Sequence, residues 1–268
     1  MNAIFSIILL LNTTLFPAYE IAKNSFAFIH DQVVLVKKDY ISIPDYIQHD
    51  AEQLNLAMSG FDLIKGSGFI YSHIRNNTLV VTNHHVCIEI NHKDEATSNI
   101  IKKIKSIVKS KIEVKNPLVL LFYDIEYQFF ATDFNGERHK VSSIKKSSEY
   151  SDLCLLETED RWGIPAEIND KECNPSEVIF NISASGGLYH PKAFPLRRGY
   201  YNGIVYNEFM SDTVYKERNV YTLHARSGAS GSAVFNSVGK VCGNISHTVI
   251  DLDVCYGSSV NDLKDFLR

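Results

Sequence analysis

The sequence predicts an all-β chain, and two observations carry that prediction. Short apolar runs recur from end to end: Val33 to Val36, Gly68 to Tyr71, Leu79 to Thr82, Leu118 to Tyr123, Tyr127 to Ala131, Leu153 to Leu156, Val178 to Ile182, Tyr201 to Tyr206, Val220 to Leu223, Ser232 to Phe235 and Lys240 to Ile245. Turn residues such as Asn135-Gly136 and Ser237-Val238-Gly239 separate many of them, the spacing of barrels or a sandwich. Helical patterns between the runs are few, whereas a parallel α/β sheet needs one after almost every strand. At 268 residues, 45% hydrophobic and 22% charged, the chain can bury one large core or two coupled ones and is too apolar for disorder.

The remaining segments fit around these strands. Ala3 to Leu11 is apolar except for Ser6; it is too short to span a bilayer reliably and reads as the core of a signal peptide, with an N-terminal anchor or apolar strand as the alternative. No Lys or Arg precedes it, and small residues for cleavage occur near Ala18 or Ala22. Lys38 to Lys65, with Pro44 and mixed polar content, reads as an insertion or long loop. Asn99 to Lys109 is the clearest helix, placing Ile100, Ile101, Ile104, Ile107 and Val108 on one face among lysines. A surface helix packed by its isoleucines is the plain reading; a basic membrane-surface helix is the sharper one. Asn261 to Arg268 closes the chain as a short helix.

Cysteine count and charge narrow the function classes. Five cysteines, Cys87, Cys154, Cys173, Cys242 and Cys255, are too scattered for a disulfide scaffold, and at least one stays unpaired within the chain. Cys242 and Cys255 flank a hairpin pattern and are positioned to meet, while Cys154 reads as a buried thiol. A net charge of -4 argues against an extended nucleic-acid-binding face. Asn76, Asn181 and Asn244 open sequons for glycosylation, which recur by chance in an Asn-rich chain.

The turn Gly228-Ala229-Ser230-Gly231-Ser232-Ala233-Val234 is where chemistry concentrates. A serine hydroxyl needs a base to become nucleophilic, and its tetrahedral product needs donors aimed at the oxyanion. Glycine at 228 admits a backbone conformation that offers such donors. Composition alone does not choose among Ser227, Ser230 and Ser232, and the stretch lacks the Lys and spacing of a phosphate-binding loop. Upstream, Thr82-Asn83-His84-His85-Val86 ends one apolar strand, and Asp152 begins another at Asp152-Leu153-Cys154-Leu155-Leu156.

These three stretches, in the order His, Asp, Ser, resemble the signatures of the chymotrypsin-like (trypsin-like) serine peptidases. In motif style they are similar to the bacterial glutamyl endopeptidases, and Gly66-Ser67-Gly68-Phe69-Ile70 resembles the corresponding strand of the high-temperature-requirement peptidases. The resemblance spans roughly Gly66 to Ile250. It implies two six-stranded antiparallel β-barrels of the chymotrypsin type with a short C-terminal helix and loop insertions. The expected division is 1-22 as signal peptide or apolar segment, 23-140 as first barrel and 141-268 as second barrel with the terminal helix.

Carried over by position, the resemblance makes His85 the general base, Asp152 its orienter and Ser230 the nucleophile, with the Gly228 and Ser230 amides as oxyanion hole. His84 becomes a structural neighbour. Ser246 lies beside the substrate and hydrogen-bonds Asp152, while the backbone of Ser246, His247 and Thr248 pairs with an extended peptide. His224, six residues before Ser230, sits at the base of the first specificity pocket, with Arg226 on the same approach. That pair favours an acidic substrate residue, but Ile245 stands where the glutamyl endopeptidases place a Glu-reading histidine, so a neutral or hydrophobic preference stays open. Ala229 removes the carboxylate that animal digestive enzymes use for zymogen activation, and Val86 and Arg226 replace cysteines common there.

The implied activity is hydrolysis of peptide bonds, on protein or peptide substrates, by a secreted or periplasmic enzyme, or one held at a membrane by its N-terminal segment. It needs no metal or other cofactor and involves no nucleic acid. Two other classes stay in view. One is a catalytically inactive peptide-binding protein on the same fold; the other is a zinc site built from His84, His85 and Cys87 with His247 or Cys255.

Overall fold

The computed structural model describes residues 18–39, 41–58, 65–90, 95–187, 191–192, 196–206 and 217–268. The apolar N-terminal run lies outside them. A helix α1 over residues 18–25 leads into β1 (Phe26–Lys37), β2 (Lys65–Ile74) and β3 (Asn77–Thr82). With β4 (Tyr123–Thr132), β5 (Arg138–Ser148) and β6 (Leu153–Thr158) these strands close an antiparallel barrel in the order β1-β2-β3-β6-β5-β4. β1 is long enough to pair twice, Phe26 to His30 against β2 and Phe28 to Lys37 against β4.

Side-chain alternation divides each strand between two cores. Ala27, Ile29, Ile70, Val80, Phe129, Cys154, Leu156 and Trp162 fill the barrel. Their neighbours Phe26, Phe28, Phe69, Val81 and Leu153 point the other way and meet Phe180, Ile182, Ala233, Phe235 and the terminal-helix residues Leu263 and Phe266. A third core, with Ile179, Tyr201, Tyr221, Leu223, Val234 and Cys242, belongs to the C-terminal half.

The second expected six-stranded barrel is not formed. β7 (Val178–Asn181), β8 (Arg197–Tyr206), β9 (Glu217–Thr222), β10 (Ala233–Asn236), β11 (Val241–Asn244), β12 (His247–Val249) and β13 (Val254–Gly257) make one open seven-stranded sheet, ordered β11-β10-β7-β8-β9-β13-β12. Its two edges, β11 and β12, are separated in the chain only by Ile245 and Ser246. Those residues spend their backbone elsewhere: Ile245 N donates to Ser232 O, Ile245 O accepts from Gly231 N, and Ser246 N donates to Tyr256 O. No strand ladder joins β11 to β12, and β11 and three-residue β12 stand at the two ends of the sheet order.

The insertions are helical rather than loop-like. α2 (Asp45–Met58) occupies the segment read as a long loop, starting where Pro44 O accepts from Ile47 N and Gln48 N. α4 (Glu95–Lys115) extends the expected helix at both ends. It buries Ile101, Val108 and Ile112 but exposes Ile100 and Ile107, so the packed face is narrower than the isoleucine pattern suggested. The run Leu118 to Tyr123, read as a strand, instead forms α5 (Val119–Phe122) before β4 begins. These helices cover the outer half of β1 through Val33, Leu35, Ile47, Ala51, Leu54 and Val119. α3 (His84–Ile90) follows β3, and α6 (Val260–Leu267) ends the chain behind a Ser259–Asp262 capping box.

Cysteine pairing also differs from the sequence reading. Cys87 pairs with Cys154, and Cys173 with Cys242, leaving Cys255 as a buried free thiol. Cys242 sits on β11 and Cys255 on β13, which the sheet separates by β10, β7, β8 and β9. Burial raises the Cys255 thiol to about 12, which makes it unreactive at neutral pH. Among the described residues no helix is long and apolar enough to cross a membrane.

Candidate active site

β3 ends at Thr82, and the turn into α3 places Asn83 in the core and His85 at the surface. Asp152 sits where the turn after β5 delivers the chain to β6, with φ of 52°, a left-handed conformation that aspartate tolerates better than most residues. His85 Nδ1 lies 3.0 Å from Asp152 Oδ1 and 3.1 Å from Oδ2, and the His85 amide donates to the same carboxylate. Ser246 Oγ donates to Asp152 Oδ2 at 2.7 Å, and Asn83 Nδ2 reaches Oδ2 at 3.1 Å. Burial by itself pushes the Asp152 carboxyl up, but the hydrogen bonds and charge of His85 and the Ser246 hydroxyl overcome it and hold the group below its ordinary value. An ionised Asp152 fixes the imidazole with its proton on Nδ1 and leaves Nε2 as an acceptor.

A disulfide stands directly behind this pair. Cys87 is two residues beyond His85 and Cys154 two beyond Asp152, so the Cys87–Cys154 bond ties α3 to β6. It also removes Cys87 from the zinc set that the sequence left open. His84 turns away and meets Ser147 Oγ at 2.6 Å. Asp133, Glu137 and His139 bring potential metal-ligand atoms within 4.8 Å of one another, but Asp133 Oδ1 already accepts from the Asn135 and Glu137 amides and so is accounted for as a hairpin cap.

The three hydroxyls of the glycine turn are now distinguishable. Ser232 is fully buried; its Oγ donates to Ala229 O and accepts from Asn181 Nδ2. Ser227 is exposed on the approach. Ser230 shares Ser246 with Asp152: its Oγ lies 3.4 Å from Ser246 O, and among the described residues no hydrogen bond joins it to His85.

Backbone carbonyls of the turn are anchored away from the cleft. Ser227 O accepts from Gly186 N at 2.6 Å, and Ala229 O accepts from Ser232 N. In a trans peptide the N–H points opposite its C=O, so these anchors direct the Gly228 and Ser230 amides the other way. Among the described residues neither amide donates a hydrogen bond. Gly228 has φ of 90°, a conformation open to glycine.

Ser67, within the Gly66-Ser67-Gly68 stretch but given no role from sequence, fastens the turn to the first barrel. Its Oγ donates to Gly228 O at 2.7 Å and accepts from Ala184 N at 3.0 Å; its amide donates to Ser230 O at 2.7 Å. The other named positions surround the turn. His247 is exposed with its ring 6.0 Å from that of His85, and Thr248 is half-buried. His224 is not free: its Nδ1 lies 2.5 Å from Asp253 Oδ1. Arg226 is exposed, and its amide donates to Ser185 Oγ. Asp253 and Arg197 escaped the sequence reading because neither lies in a motif.

The sequence matches the family described as trypsin-like peptidase domain over residues 66–243. No curated protein matches it. The fold is similar to the active form of the Rv3671c protease from M. tuberculosis, with 12% identity and a TM-score of 0.57 over 94% of this chain and 82% of that one. The inactive form of Rv3671c gives 11% identity and a TM-score of 0.57, covering 94% and 91% of the two chains. A serine endoprotease from Yersinia pestis gives 13% identity and a TM-score of 0.57, covering 94% of this chain and 65% of that one. The match is to the broad family; neither the glutamyl endopeptidase nor the high-temperature-requirement branch is singled out.

Proposed function

The chain belongs to the family of trypsin-like peptidase domains, and from that premise we propose that it is a serine endopeptidase in which His85, Asp152 and Ser230 act together. The observation that carries this reading is the buried acceptor cluster at Asp152, which orients His85 Nδ1 and connects through Ser246 to Ser230. As Ser230 Oγ attacks a peptide carbonyl, His85 Nε2 takes its proton; the imidazolium passes that proton to the departing amine as the C–N bond breaks. Water then adds to the acyl-enzyme with His85 again as base. The Gly228 and Ser230 amides receive the oxyanion. Substrate backbone pairs with the segment Ser246, His247 and Thr248 at the end of the sheet, an addition that binds extended peptides without demanding a particular sequence.

Protein or peptide is the substrate class, and an exported enzyme is the matching location. Two disulfides fit an oxidising compartment. The expected boundaries at 22 and 140 move: the leader or anchor lies ahead of Ala18, and the first half runs through β6 to Thr158, because β5 and β6 close the first barrel, with the rest of the chain as the second half. Because Ala18 and Ala22 are packed into the central core, processing that keeps the fold intact cuts ahead of them; N-terminal sequencing of exported protein identifies the cut.

A fluorophosphonate probe tests the chemistry. Wild type is expected to label and to cleave a mixed peptide library, and Ser230→Ala to do neither. Labelling that survives in Ser230→Ala but disappears in Ser227→Ala overturns the assignment. A second reading, a peptide-binding protein without turnover, is favoured by the absent His85–Ser230 hydrogen bond. Such contacts often tighten only when substrate is bound; binding without labelling or cleavage would select this second reading.

A further inference from the structure

We propose that Arg197 and Arg226 form a carboxylate-reading subsite beside the nucleophile turn, which selects an acidic residue on the acyl side of the cleaved bond. The inference rests on the peptidase reading above and names its substrate class.

The sequence paired His224 with Arg226 for acid recognition, but the fold gives the His224 imidazole to Asp253, on a chain bend with φ of 50°, and brings Arg197 to the segment instead. His224 and Asp253 satisfy each other, so neither is left to attract a substrate charge. The arginines are in the opposite condition. Arg197, at the start of β8, crosses to the same segment and donates through Nη1 to the His224 carbonyl, while its Nε is buried without a hydrogen-bond partner. Arg226 lies two residues beyond His224 and four before Ser230, with its amide and carbonyl fixed by Ser185 Oγ and Ala229 N. Neither guanidinium forms an ion pair with a carboxylate among the described residues. Burial holds the Arg197 guanidinium below its ordinary value; Cys255 works in the opposite sense, and the nearby charge of Arg226 lowers it further.

Two cations sharing one segment, one with an orphaned buried N–H, cost free energy in the empty enzyme. A planar carboxylate supplies what both lack, since guanidinium forks match its two oxygens. The chain leads from this pair into the Ser230 turn within four residues, so a side chain bound here belongs to the residue whose carbonyl is attacked. A Gln side chain has the same shape as Glu without its charge and leaves the pair un-neutralised.

The test uses quenched-fluorescence peptides identical except for Glu, Gln, Ala or Lys on the acyl side, with competent enzyme counted by fluorophosphonate titration. Wild type is expected to prefer Glu over Gln in kcat/KM by on the order of tenfold to a hundredfold, the span of a hydrogen bond to a charged group. Arg197→Gln and Arg226→Gln are each expected to shrink that ratio and the double variant to bring it below about threefold, whereas Arg197→Lys restores part of it. Normal titration with equal rates on Glu and Gln peptides overturns the subsite while leaving the peptidase reading standing, as does a Glu preference that persists in the titrated double variant. Absence of both labelling and cleavage in wild type overturns the peptidase reading and the subsite with it.

Discussion

The hydroxyl of Ser67, in the first barrel, donates to the carbonyl of Gly228, in the glycine turn that carries Ser230, at 2.7 Å. The two residues are 161 positions apart in sequence. Ser67 also holds Ala184 N and, through its own amide, Ser230 O. One buried side chain thus sets the turn against both halves of the molecule. Ser67→Ala is expected to lower kcat by on the order of tenfold to a hundredfold, because small misplacements of reacting groups are costly, with a smaller change in KM. A peptidyl boronate, which mimics the tetrahedral species, should lose affinity in parallel with kcat. If it binds the variant as tightly as wild type, Ser67 has only a structural role.

Gly231 is held against the same strand. A methyl group there would lie 2.1 Å from Ser67 O and 2.3 Å from Thr82 Oγ1, at a φ of 89°. Neither backbone nor core can yield without moving Ser230. Gly231→Ala should therefore lose about 1–3 kcal/mol of stability from overpacking, together with fluorophosphonate labelling. Urea unfolding and probe incorporation measure the two losses separately.

The Cys87–Cys154 bond encloses a sequence separation of 67 residues and fastens the elements that carry His85 and Asp152. The double variant Cys87→Ala, Cys154→Ala should be less stable by about 2–5 kcal/mol. Calorimetry checks the loss. A drop in kcat at a temperature where the variant remains folded would show that the crosslink also keeps His85 and Asp152 in register.

Asp152 should shape the acid limb of stability. Its folded carboxyl titrates below the ordinary value of 3.8, so it stabilises the fold above that pH and loses its contribution as pH falls through the depressed value. Asp152→Asn is expected to lower Tm at pH 7 and to differ less from wild type at pH 3. An equal difference at both values would contradict a stabilising ionised Asp152.

Much of this arrangement was legible in the sequence. Alternating residues such as Ile179 and Phe180 state which side of a strand faces which core, since strand periodicity is local. The order of the histidine, aspartate and serine stretches pointed to the family before any geometry existed. The isoleucines of α4 marked a helix, though not that only Ile101, Val108 and Ile112 would be buried. The helix α2 was missed because its apolar residues Ile47, Ala51 and Leu54 are spread among polar ones and find their partners on β1 and the other insertions.

Sequence by itself determined many of the short strands, the apolar strand that ends ahead of His85, and the glycine turn that carries Ser230; it did not show the helices α2, α3 and α5 or the open second sheet. Tertiary structure alone decided that the second sheet stays open, that Cys87 pairs with Cys154, that Ser232 is buried while Ser230 reaches the Asp152 cluster, and that Asp253 occupies His224. The division has a physical cause. Periodicity and turn chemistry are properties of neighbouring residues, whereas hydrogen bonds such as Ser67–Gly228 and Arg197–His224 join positions that only the packed sheets bring within reach.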